Sequence, residues 1–263
     1  AALLAISSAF APISDLSAQR SKKNKKDKTS SSEGRPAKKD AIKSLSDLTK
    51  TCALDSGLFS MYSDTASGES WFIVPDSMLE KEFIYFSHIN DGVAQSGFTR
   101  GSYRNSKVIS FHKHFDRIEI HAENTNYHFD STSPLARASS ANINTPILAS
   151  LKVEGMDSSK TVFAISGDAL FLQEVVEMVK RPSRKPGDGI LGKLSRDKSK
   201  ITRINNYPSN TEVSVDYVYD NPAPKRGGAA LEDARYVTVS YQHSILQMPE
   251  NDFTPRPDDA RIG

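Results

Sequence analysis

The residues best suited to chemistry are the histidines of Phe111-His112-Lys113-His114-Phe115-Asp116, with His121 and His128 further along the chain. In a strand, side chains two apart share a face. His112 and His114 could therefore chelate a metal ion, with His121 or His128 from a neighbouring strand as a third ligand. The competing account is a solvated strand face. Lys113 and Arg117 bring positive charge close, and no Asp or Glu stands at a spacing that would orient an imidazole. That account is the simpler one, and no metal ligand is assigned.

Glu212, Asp216 and Asp220 alternate with Val213, Val215 and Tyr217. In a cleft they would serve as paired carboxylates, but the period of two is that of the wet side of a half-buried strand. Cys52 is the one cysteine, so it forms no internal disulfide and no cysteine-based zinc site; beside Ala53 and Leu54, with no base nearby, it reads as a small half-buried apolar residue. No HExxH, GxSxG, GxxxxGK[ST] or strand-following GxGxxG occurs. Metalloprotease, α/β-hydrolase, P-loop and dinucleotide chemistries are thus unsupported within these residues. No catalytic or cofactor-binding residue is assigned, and this stretch by itself is expected to be inactive.

With 37% hydrophobic and 25% charged residues over 263 positions, the composition is that of an ordinary globular protein. The net charge of +2 is unevenly spread: residues 20–43 carry ten Lys or Arg against three Asp or Glu, and residues 44–263 come out near −4. Residues 1–18 read as the apolar part of a partial signal peptide, with Leu16-Ser17-Ala18 as a small-residue cleavage site. Pro12 and Asp15 leave the apolar run well short of the roughly 20 residues that span a bilayer, so no transmembrane segment is expected. Residues 19–40 are Lys, Ser, Asp, Gly and Pro with almost no apolar side chain, a disordered linker by composition. Their KKNKK run has no interleaved aromatic residue to stack a base, and no nucleic-acid partner is expected.

The elements that would position these residues are mostly strands. Asp40–Thr51 has Ile42, Leu45 and Leu48 at helical spacing. Gly57–Ser63 and Ser70–Val74 flank a polar turn in a hairpin pattern, followed by a strand over Phe83–Ile89. Lys107–His114, Arg117–Glu123 and Asn126–Asp130 suggest a meander, and Pro146–Val153 and Thr161–Ser166 two more strands. Asp168–Val179 is the clearest helix, with Leu170, Phe171, Val175 and Met178 or Val179 close to one face. Ile201–Tyr207, Thr211–Asp220 and Tyr236–Leu246 close the chain with strands. The expected fold class is α+β, mostly antiparallel β in meanders or a sandwich-like form, with two or three helices behind a disordered N-terminal segment. The expected domains are a small α+β unit at 41–92 and a larger β-rich unit at 93–263.

Several stretches, in order, resemble the two uncharacterised domains that precede the catalytic domain in a family of exported bacterial zinc-dependent metalloproteases. GLFSMYS and WFIVPDSMLEKEFIYFSHI are similar to the family's short first domain. RIEIHAENTNYHFD, NTPILASLKVEG, DKSKITRINNYPSNTEV and VTVSYQHSILQMPENDFTPRPDDARIG follow. The last is the most specific, a Leu-x-x-Pro strand end leading into Pro-Arg-x-x-Asp-x-Arg-x-Gly. The resemblance covers roughly residues 41–263. It implies a parent protein in which a downstream HExxHxxGxxH helix holds zinc, with its Glu as general base. None of those residues is present here, so no role passes to any position of this chain. The implied partners are the downstream catalytic domain of the same polypeptide and a protein or peptide substrate. The implied location is exported: periplasmic, outer-membrane-associated or secreted. The alternative is a free-standing exported β-rich module that binds a peptide or glycan through a sheet edge or loop face.

Overall fold

A computed structural model describes residues 42–127, 129, 132, 134–138, 141–179, 191–225 and 227–254. The expected signal peptide, the Lys-rich linker, His128 and the final Pro-Arg run fall outside them. Strands dominate because the apolar residues recur with period two. The chain runs β1 (Lys43–Ser44), α1 (Leu45–Leu48), β2 (Cys52–Asp55), β3 (Met61–Asp64), β4 (Ser70–Pro75) and β5 (Glu82–Asp91). It continues with β6 (Tyr103–His114), β7 (Arg117–Ala122), β8 (Ile147–Met156), β9 (Val162–Ser166) and α2 (Gly167–Phe171). β10 (Lys193–Leu194), β11 (Lys200–Tyr207), β12 (Asn210–Asp220) and β13 (Tyr236–Gln247) complete it.

These strands form one sheet in the order β10-β12-β13-β5-β6-β7-β8-β9-β4-β3-β2, with β11 also on β12 and β1 on β8. All pairings are antiparallel except β1 with β8. β8 turns the corner: Ile147–Lys152 pair with β7, and from Val153 onward the strand pairs with β9 across a register shift. The sheet then curls until its ends meet. Leu58 N–H donates to Tyr207 O at 2.8 Å, Phe59 N–H to Thr211 Oγ1 at 3.0 Å and Asn206 Nδ2 to Asp55 O at 2.9 Å. The result is a nearly closed, barrel-like sheet rather than two packed layers, which corrects the sandwich-like expectation. The segments 41–92 and 93–263 share it, since β5 pairs with β6 on one side and β13 on the other.

Alternation decides what fills the inside. In β12, Thr211, Val213, Val215, Tyr217 and Tyr219 are buried, while Glu212, Ser214, Asp216 and Val218 between them are half-buried. Phe59, Phe72, Phe83 and Phe111 meet at ring-centroid distances of 4.9–5.9 Å in the interior, and each such buried ring contributes roughly 1.5–3 kcal/mol. A smaller cluster of Trp71, Ile73 and Ala164 lies apart from it and is covered by Leu45 and Leu48 of α1, with Cys52 at its edge.

Two α-helices form among the described residues, both short. The one expected over 40–51 is the single turn α1. The one expected over 168–179 ends at Phe171, after Ser166 Oγ accepts Ala169 N–H at its start. Beyond it, Leu172, Val176 and Val179 are buried without helical geometry. Asn126, Tyr127 and Phe129 are not in a strand, contrary to expectation. No helix among the described residues is long and apolar enough to cross a membrane.

Candidate functional site: histidines on and inside the sheet

On the outer side of the β6–β7 hairpin, register places Ser110 opposite His121, His112 opposite Glu119 and His114 opposite Arg117. All six therefore share one face, as the period of two requires. The His112 and His121 rings stack at 4.3 Å, 27° from parallel. Ser110 Oγ lies 2.9 Å from His112 Nε2 and donates a short hydrogen bond to Glu123 Oε1. His121 Nε2 lies 3.2 Å from Glu119 Oε2, and Ser150 Oγ of β8 donates to Glu119 Oε1. The contact with His121, helped by the charge of His114 and opposed by partial burial, holds the Glu119 carboxyl below its usual range.

The sequence pattern thus brought His112, His114 and His121 to one face, and it missed Glu119 and Glu123. Opposing residues on paired strands have no sequence spacing from which to read them. Among the described residues no group of three or more His, Cys, Asp or Glu is placed to hold a metal ion. The cluster is a polar, hydrogen-bonded sheet face.

A second histidine site, not singled out by the sequence reading, lies inside. His243 of β13 is buried, with Nδ1 2.8 Å from the Tyr85 hydroxyl and Nε2 2.9 Å from the Tyr217 hydroxyl. Tyr217 donates its own proton to Phe171 O at 2.5 Å. It must therefore accept from Nε2–H, which leaves Nδ1 to accept from Tyr85. Both ring nitrogens are satisfied by a neutral imidazole, and burial pushes the pKa of His243 down to about 3. Burial likewise drives the Tyr85 and Tyr217 hydroxyls well above their ordinary range.

The segment from Leu172 to Val179 lies over this network and bridges β6 to β12. Glu174 adopts φ +53° and its Oε1 accepts both the Tyr219 hydroxyl at 2.7 Å and Val179 N–H at 2.8 Å. Glu177 pairs with Lys107 Nζ at 2.7 Å and accepts from Asn105, and Lys107 also donates to Val176 O.

The carboxylates of β12 lie on the outer side. Glu212 accepts from Asn210 and Gln242, Asp216 from Ser240, and Asp220 pairs with Lys198 at 2.8 Å. They form no convergent pair. Cys52 is half-buried and donates to Leu48 O. Burial, with the charge of Asp64, raises its thiol's pKa, the reverse of what a nucleophile needs.

No curated protein and no solved structure matches the chain. One family model does match, over residues 101–263, more than half of the sequence, from two residues before β6 to the end. The chain belongs to the family described as Domain of unknown function (DUF5117).

Proposed function

We propose that this chain is the leading, non-catalytic region of an exported bacterial zinc-dependent metalloprotease, a scaffold that holds and shapes the zinc-bearing domain of the same polypeptide. The observation that carries the reading is the run of six stretches, from GLFSMYS to VTVSYQHSILQMPENDFTPRPDDARIG, in the order of that family's leading domains. Four of the six lie inside the matched span 101–263. The fold supports a scaffold role. Phe59, Phe72, Phe111, Tyr85, Tyr217 and Tyr241 fill the interior of the curled sheet, so it is a packed core and the region works through its outer faces and loops. Zinc and the general base then belong to the downstream domain, and export follows from the signal-like residues 1–18.

The test is to read the coding sequence beyond Gly263 and assay the longer product on a casein substrate with and without a chelator. An HExxHxxGxxH helix with cleavage that chelator abolishes and zinc restores is the expected result. A stop codon at that point, or a longer product that binds zinc and cleaves nothing, sinks the reading.

A second reading has one observation of its own. On the outer side of β5 and β6, Phe86 meets His88 and Tyr103 at 5.7 and 5.6 Å, beside the hydrogen-bonded amides of Asn90 and Gln242. An aromatic platform next to paired amides suits a glycan-binding module. Saturable binding of an oligosaccharide panel, lost in Tyr103→Ala, would favour it.

A further inference from the structure

An antiparallel sheet closes on itself without a mismatch only when its strands are even in number, because neighbours must alternate in direction. Here the path β11-β12-β13-β5-β6-β7-β8-β9-β4-β3-β2 has eleven strands, and every step along it is antiparallel. The two strands at the seam, β2 and β11, therefore run the same way. They meet at one corner, through the hydrogen bonds of Leu58 with Tyr207 and of Asn206 with Asp55. Away from that corner, among the described residues, no hydrogen bond joins residues 52–54 to residues 200–205.

Side chains on both sides of this gap face inward without being covered. Ala53 and Asp55 pair with Ser63 and Met61, which puts them on the side of the buried Met61, yet both are exposed. Ile201 and Ile204 stand opposite Val215 and Val213, which are buried, but are themselves only half-buried. Asn206 Oδ1, at the corner, is buried with no hydrogen-bond partner among the described residues. One extended strand, antiparallel to both edges, would cover the isoleucines, give each edge a backbone partner and make the strand number even.

The chain itself arrives at the right place in the right direction. β13 runs parallel to β11 and ends at the same end of the sheet, where Gln247 N–H donates to Ser209 O in the β11–β12 turn at 2.9 Å. A chain that leaves there and turns back runs opposite to β2 and β11. The gap lies three strand spacings from β13, about 14 Å, and the eleven residues 248–258 reach up to about 36 Å when extended. Pro249, Pro255 and Pro257 fall within that crossing, and residues 259–263 contain no proline. In Asp259-Ala260-Arg261-Ile262-Gly263 the apolar Ala260 and Ile262 alternate with the charged Asp259 and Arg261, the pattern of a strand with one covered face. The Lys-rich residues 19–40 have almost no apolar side chain to set against Ile201 and Ile204.

We propose that residues 259–263 are the closing strand of the sheet, lying between β2 and β11 and antiparallel to both, with Ala260 and Ile262 turned inward. The inference is independent of the protease reading.

The experiment uses the whole chain and its one native thiol, Cys52, which shares the outer side of β2 with Leu54. Arg261→Cys, Gly263→Cys and Ile262→Cys are each oxidised at low protein concentration, and the disulfides are mapped by mass spectrometry. A cross-strand disulfide needs Cβ atoms about 3.8 Å apart. Cys52 should therefore bond within the molecule to position 261 or 263, whichever lies opposite, at least about tenfold faster than to the inward position 262. Equal rates at all three positions would show a tail that collides at random, and disulfides only between molecules would assign the edge to a second copy; either overturns the inference. Hydrogen exchange gives a readout without new thiols. Ile262→Pro removes a backbone donor from the closing strand, so amides on the free edge of β11 should exchange at least about tenfold faster than in the unaltered chain. Exchange there that is unchanged by the proline also overturns it.

Discussion

Desolvation, with both ring nitrogens bonded to tyrosine hydroxyls, keeps His243 neutral and sets the direction of its pH dependence. Its folded-state pKa of about 3 lies below the ordinary imidazole value of 6.5. The unfolded chain therefore takes up the proton first as pH falls. Stability contributed by this residue is complete above 6.5 and is lost progressively down to 3. Between pH 7 and pH 5 the loss amounts to about 2 kcal/mol. Chemical denaturation at the two pH values measures it. His243→Gln keeps one donor and one acceptor but cannot titrate, so its stability difference between pH 7 and pH 5 should be smaller by about that amount. An equal difference in both proteins would show that the ring is not the acid-sensitive group. Part of this site was legible in the sequence. Val237, Val239, Tyr241, His243 and Ile245 alternate, which puts the histidine on one side of a strand with apolar residues. Parity alone does not say which side is inside, and the tyrosines that bond it come from β5 and β12, far away in the chain. The His112, His114 and His121 group was the more conspicuous in the sequence and proved to be the outer face.

At the level of elements, the seam where the sheet's ends meet is the least supported part of the fold, because it relies on a few hydrogen bonds from the β2–β3 connection. Gly57 sits there, and a Cβ on it would fall 2.6 Å from Asn206 Cβ and 2.8 Å from both the N and O of Tyr207. Backbone cannot yield as a flexible side chain can. Gly57→Ala should therefore push the connection off β11, lengthen the Leu58 N–H to Tyr207 O bond and cost about 2 kcal/mol. Hydrogen exchange should show loss of protection at Leu58 and Phe59 first; protection unchanged at both would mean the seam contributes nothing. The strands themselves could be read because each is a local pattern. The helix over 168–179 was misread for a reason visible in Glu174. Its carboxylate satisfies Tyr219 and Val179 from a left-handed backbone, and the apolar spacing of Leu172, Val176 and Val179 serves a strap over the core instead of a helix face. Periodicity reports which residues are buried. It does not report the backbone that buries them when tertiary partners replace helical hydrogen bonds.

For the molecule as a whole, the matched span 101–263 is not a closed structural unit. β5 lies between β13 and β6 with Phe83–His88 paired on both sides, and β4 extends the sheet beyond β9. Removing residues before 101 would leave β6, β9 and β13 with bare edges and strip Phe59, Phe72, Phe83 and Tyr85 from the core. Each such side chain is worth roughly 1.5–3 kcal/mol when buried, so their sum rivals the 5–15 kcal/mol by which a typical domain is stable. Bare edges also template association. A fragment of residues 101–263 should thus elute as aggregate and melt without a cooperative transition, and the fragments 42–92 and 93–263 should fare no better. Residues 42–263 should unfold in one transition by calorimetry, since the whole sheet shares one interior. Co-expressing residues 42–100 with 101–263 should restore a soluble complex, because β5 has a vacant place to fill between β6 and β13 and β4 another beside β9. A monomeric, cooperatively melting 101–263 would show instead that the sheet can close without β5, and the pairing of β6 directly with β13 would then be the first thing to look for.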